Sequence, residues 1–135
     1  MVDFNGWAAV SNRKIEDETI LSASAQQYLN RHFVVARLYV DDRSEPPSIY
    51  KDSLNLDNTT IETYGDLWMT LQVKHFQQVT QPFYVQLDCQ GRLLTTPANY
   101  QTHGNQLKFL DWLKGGLSAY EQVAGECMKS SIKLK

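Results

Sequence analysis

Cysteine is scarce, histidine is scattered, and no apolar run is long enough to enter a bilayer. Only Cys89 and Cys127 occur in the 135 residues, at a separation that fits neither a metal site nor a C-x-x-C redox pair. A four-ligand zinc site needs paired Cys or His, and His32, His75 and His103 stand far apart, so neither metal nor cofactor is expected. The favoured reading of the cysteines is two separate free thiols, with a Cys89–Cys127 bridge as the less favoured alternative. The longest purely apolar run, Phe33 to Ala36, falls far short of the roughly 20 residues of a membrane helix. No basic segment followed by an apolar stretch opens the chain, so no signal peptide is read there. Basic residues are not in excess either: 13 stand against 15 acidic, which argues against a nucleic-acid partner. Lys129, Lys133 and Lys135 make only a thin basic tail, read as solvated.

What is present suits one soluble α/β domain over 1–135, large enough to bury about two-thirds of its unfolded surface. Met1 to Phe4 reads as the end of a truncated first strand, as expected for a piece of a longer chain. Asn5-Gly6 supplies a turn. From Ala8 to about Ile20 the spacing is helical, with Val10, Ile15 and Ile20 inward and Arg13, Lys14, Glu16, Asp17 and Glu18 outward. Ser22 or Ser24 can cap a second helix through Ala25, Tyr28 and Leu29. Phe33 to Val40, almost continuously apolar and β-branched, predicts a central parallel strand covered on both faces. Residues 43–60, polar with Pro46 and Pro47, predict a surface insertion.

Tyr64 to Phe76 is the next predicted helix, with Leu67, Trp68, Leu71 and Val73 as its apolar positions. Phe83 to Leu87 predicts a strand, which Asp88 to Gly91 turns back into a short partner over Arg92 to Thr95. The last helix is expected from Gln106 to Gln122, with Leu107, Leu110, Leu113, Leu117 and Tyr120 as its core stripe, and 123–135 as a tail. Alternation in the first half asks for parallel pairing with crossovers, and the tight turn in the second half for antiparallel pairing. A central mixed sheet flanked by helices on both faces satisfies both.

Two segments carry a resemblance. Asp3-Phe-Asn-Gly-Trp-Ala-Ala-Val-Ser-Asn-Arg-Lys-Ile-Glu16 resembles the active-site segment of thioredoxin-fold domains from DsbD-type thiol:disulfide interchange proteins, Phe-x-Gly-Trp-Ala-Cys-x-x-Cys-Arg-Lys-Met-Glu. Gln81-Pro82-Phe-Tyr-Val-Gln-Leu-Asp88 resembles that family's cis-proline loop and following strand, and Leu38-Tyr-Val-Asp-Asp42 its central strand. The likeness covers nearly the whole chain and implies a thioredoxin-like fold facing the periplasm.

The departure is chemical. Ala9 and Asn12 stand where that family has its two cysteines, and thiol–disulfide exchange needs a thiolate to attack a sulfur. Dithiol exchange by this motif is therefore rejected, leaving no catalytic residue and no enzyme activity expected. Ser11 has no base at a suggestive spacing and reads as a first-turn residue. Asp17 and Glu18 diverge on a helix and read as a solvated face. Cys89 lies at the far end of its strand from Pro82, about 20 Å along an extended chain, and reads as a structural thiol.

The resemblance leaves a docking surface for an extended peptide. In it Gln81 supplies backbone contacts, Pro82 holds the loop, and Trp7 offers an exposed aromatic platform, with core packing as its alternative. The expected function is a redox-inactive thioredoxin-like module that binds a protein or extended peptide, or that holds other domains of a longer membrane-bound chain in place. The alternative is a thiol:disulfide oxidoreductase whose motif cysteines were replaced or whose thiols come from a partner.

Overall fold

A computed structural model describes residues 1–8, 13, 16–17, 22–49 and 60–132. The expected helix from Ala8 to Ile20 falls mostly outside them; of its residues, Arg13, Glu16 and Asp17 are described and helical. Among the described residues, eight elements follow in chain order: β1 (Val2–Asn5), α1 (Ala23–His32), β2 (Ala36–Tyr39), α2 (Tyr64–Phe76), β3 (Phe83–Val85), β4 (Ala98–Asn99), α3 (Tyr100–His103) and α4 (Gln106–Ile132). The strands form one mixed sheet in the order β2-β1-β3-β4. β1 runs parallel to β2 and antiparallel to β3, and β3 is antiparallel to β4.

Side chains alternate across a strand, so β1 and β3 each feed two cores. Phe4, Phe83 and Val85 point to one face, where Leu71 and Phe76 of α2 pack on them. Tyr84 points to the other, where it meets Ala25 and Leu29 of α1 and Phe109, Trp112 and Leu113 of α4. The Tyr84 and Phe109 rings meet edge to face, with centroids 5.3 Å apart. Helices thus cover both faces.

Local signals set the helix starts. The Ser22 hydroxyl accepts from the Ala25 N–H and caps α1. At α2, Thr63 and Asp66 close a reciprocal capping box.

Several expectations are corrected. The Phe33–Val40 run gives only the four residues of β2, at the edge of the sheet rather than its centre, and Val34 is 88% exposed. The strand paired with β3 is β4, not Arg92 to Thr95; that stretch contributes only an isolated bridge, Leu87 to Leu93. The last helix continues to Ile132, so 123–132 is no loose tail. Phe109, Trp112 and Leu113 are among its buried residues, the last as expected, whereas Leu107 is 71% exposed and Tyr120 is also exposed. Within the 43–60 stretch, Pro46 is buried although its described neighbours are exposed; 50–59 lies outside the described residues.

The largest correction is covalent: Cys89 and Cys127 form a disulfide, with sulfurs 2.09 Å and Cα atoms 5.7 Å apart. Their Cα separation falls where bridges are usually found. The sequence separation concealed this, because α4 runs back along the sheet and returns Cys127 to the turn after β3. In that turn Gly91 adopts φ +77°, a left-handed conformation that favours glycine.

Gly116 explains how α4 sits so close to the sheet. A Cβ there would fall 1.5 Å from Oε1 of Gln86, a fully buried side chain whose Nε2 donates to the Trp112 carbonyl at 3.2 Å. Nothing lies within 4 Å of a Cβ built at Gly125. Gly116→Ala is therefore expected to destabilise the fold by about 2 kcal/mol through overpacking. Gly125→Ala should stabilise it by up to about 1 kcal/mol through helix propensity. Paired urea titrations check this; equal midpoints for the two variants would contradict it.

Candidate functional site

The register of β1 fixes what gathers at its two ends. Phe4 pairs with Phe83, so the chain leaving β1 through Gly6 and Trp7 departs at the same sheet end where Gln81 and Pro82 enter β3. The Gln81–Pro82 bond is cis and Pro82 is buried. Trp7 is 57% exposed, and its ring lies against Tyr39 of β2 with centroids 4.6 Å apart. It is thus a surface aromatic, not a core residue.

Asp41, just after β2, holds the segment after β1 in place. One carboxylate oxygen accepts from the Trp7 N–H and the other from the Ala8 N–H, both at 2.8 Å. Desolvation would raise the Asp41 carboxyl, but backbone hydrogen bonds, these two foremost, together keep it below the usual carboxylate range. Arg13 adds a guanidinium contact to the Trp7 carbonyl at 3.3 Å. Gln81 is anchored beside this segment: its Nε2 donates to Oε1 of Gln72, whose own Nε2 donates to the Thr80 carbonyl. The structure therefore brings Trp7, Gln81 and Pro82 to one end of the sheet. Ala9, Ser11, Asn12 and Glu18 lie outside the described residues; Asp17 is exposed.

Behind this surface lies a buried polar cluster that the sequence reading missed. Glu16, expected to face solvent, is buried. Its two oxygens accept from the Tyr84 hydroxyl and from Asn5 Nδ2, each at 2.8 Å. Asp3 is 1% exposed and sits between its register partners, Arg37 of β2 and Tyr84 of β3. Arg37 Nε lies 3.2 Å from Oδ2 of Asp3, while Oδ1 is buried without a hydrogen-bond partner among the described residues. The signal was an acidic residue inside an apolar strand end, since Asp is depleted in strands.

Burial pushes the Asp3 carboxyl up to about 7, and the nearby Glu16 charge reinforces this, while Arg37 opposes it. Burial, followed by the Asp3 and Glu16 charges, also raises the Tyr84 phenol and keeps it neutral as a donor. These groups line a cavity of about 440 Å³, together with Gln26, Asn30 and Val35. Among the described residues, no three His, Cys, Asp or Glu side chains gather as a metal-binding group. Nor is any helix long and apolar enough to cross a membrane.

The disulfide lies at the opposite end of the sheet. Cys89 follows β3 beyond Val85, which pairs with Val2, whereas Trp7 lies beyond the Phe4–Phe83 pair. Both sulfurs therefore lie at the end of the sheet remote from Trp7. No protein-family model matches the chain, and no curated protein matches it.

The buried carboxyl makes stability depend on pH. A folded-state value near 7, raised from 3.8, means that Asp3's contribution is complete below about pH 4 and is lost as pH rises through 7. That displacement corresponds to about 4 kcal/mol. Urea unfolding between pH 4 and 8 should show this decline in the parent chain and a much flatter profile in Asp3→Asn. Parallel profiles would contradict the assignment.

Proposed function

We propose that the chain is a thioredoxin-like module of the DsbD type, without dithiol activity at Ala9 and Asn12. Its role is to dock an extended segment of a protein partner. The strand order β2-β1-β3-β4, with one parallel and two antiparallel pairings and helices on both faces, supports the thioredoxin-like reading. Ala9 and Asn12 offer no sulfur, so the module is not an enzyme of the interchange class. A disulfide between the two remaining cysteines is in keeping with an oxidising compartment, which supports a periplasmic location. Other domains of a longer membrane-bound chain fit the same role as partners.

One observation carries the docking reading: exposed Trp7 stands at the sheet end where Gln81 and Pro82 enter β3, on a segment held by Asp41. A rigidly presented aromatic beside a strand entry suits an extended peptide, which gains affinity from main-chain contacts and orientation from one or two side-chain anchors. Little ordering entropy is then lost on binding.

Titration of the ¹⁵N-labelled chain with an extended, cysteine-free peptide should shift the amides of Trp7, Gln81 and their neighbours. Trp7→Ala should weaken binding about tenfold, the loss expected when an aromatic anchor is removed. Shifts confined to the Cys89 end, or unchanged affinity in Trp7→Ala, would contradict this reading.

A further inference from the structure

The disulfide joins two segments of unequal character. Cys89 is exposed, in the turn that follows β3, whereas Cys127 is 6% exposed on α4. Upstream of the bridge, α4 is rooted in the core by Phe109, Trp112 and Leu113, with Gly116 pressed against Gln86. Beyond Leu117 its described residues are half-buried or exposed until Cys127. Among the links that tie this distal half to the sheet end are the disulfide and an ion pair in which Arg92 Nη2 reaches Glu126 Oε2 at 2.9 Å. Both partners of that ion pair are more than half exposed, so it holds only weakly. Underneath lies a hollow of about 310 Å³, lined in part by Leu87, Leu94, Leu117 and Tyr120 beside Cys89.

The sequence of the distal half makes the covalent link matter. Gly115 and Gly116 sit at its root and Gly125 near its bridge, and glycine is the weakest helix former after proline. A helical segment of this length, from Leu117 to Ile132, is marginal in water without tertiary support. The bridge supplies that support.

We propose that Cys89–Cys127 is a redox-operated latch, opened by a dithiol reductant that enters at Cys89, the exposed residue of the pair. The reductant's thiolate attacks Cys89 Sγ, the S–S bond breaks, and Cys127 leaves as a thiolate that takes up a proton. The reductant's second thiol then attacks the mixed disulfide, leaving as a cyclic disulfide and returning Cys89 as a thiol. Two electrons pass from the reductant to the protein. The distal half of α4, from about residue 118 onward, is released from the sheet end while the core segment Phe109–Leu113 stays seated. The latch operates at the end of the sheet remote from Trp7 and does not depend on what docks there.

Hydrogen exchange of the whole chain, oxidised and after treatment with dithiothreitol, tests the latch. Complete opening is verified by alkylation of both thiols. Reduction should accelerate exchange at residues 118–132 at least tenfold and leave residues 83–85 and 107–113 within twofold. Cys127→Ser should show the released pattern without reductant, which separates loss of the bridge from any other effect of the thiol reagent. Unchanged protection of 118–132 in the reduced chain would overturn the proposal, and so would loss of protection across the whole fold. A bridge that stays closed to dithiothreitol until the chain is denatured would overturn it as well.

Discussion

The pairing of Phe4 with Phe83 organises the molecule. It places β1 between a parallel and an antiparallel neighbour and sets which side chains meet on each face. A slip of one residue would turn Asp3 and Asn5 into the apolar layer under α2 and expel Phe4 from it. The same register decides what each sheet end contains. Trp7, Gln81 and Pro82 share one end, and the covalent link between the β3 turn and α4 occupies the other.

Charge then fixes the segment leaving β1. Glu16 is joined to the sheet through Tyr84 and Asn5, and Asp41 holds the Trp7 and Ala8 amides. These hydrogen bonds tie Trp7, Ala8 and Glu16, described residues of the segment, to the sheet and to Asp41 just after β2. Asp3 contributes differently. With one oxygen on Arg37 and the other without a hydrogen-bond partner among the described residues, its carboxyl is pushed up to about 7, chiefly by burial. A buried acid of this kind opposes stability at high pH, a cost tolerated in a fold whose two apolar cores lie on either side of the same sheet.

Much of this was legible in the residues. The spacing of Leu67, Trp68, Leu71 and Val73 points to α2, the Phe83–Leu87 run to β3, and Ser22 or Ser24 to a cap on α1, because helical periodicity, caps and β-branched runs act locally. What failed was tertiary. The apolar run before β2 is equally compatible with a covered strand and an edge strand, and only the pairing order distinguishes them. The expected stripe on α4 is Leu107, Leu110, Leu113, Leu117 and Tyr120; Leu113 is indeed in the core, but Phe109 and Trp112 join it there while Leu107 and Tyr120 face outward. Glu16 was read as solvated because a carboxylate on a helix usually is, and its two donors come from the sheet. Cys89 and Cys127 were read as free because their proximity depends on the path of α4. Trp7, Gln81 and Pro82 do lie at a common sheet end, while Ala9 and Asn12 lie outside the described residues.

The division of labour between the two ends of the sheet is tested most directly by site-specific photocrosslinking. A benzophenone side chain placed at position 7, or at position 90 beside the disulfide, is irradiated with an extended cysteine-free peptide, and the adducts are quantified by mass spectrometry. The structure leads us to expect a saturable adduct at position 7 that unlabelled peptide competes away, and only background at position 90. Equal adducts at both positions, or a competed adduct at position 90 alone, would contradict the account.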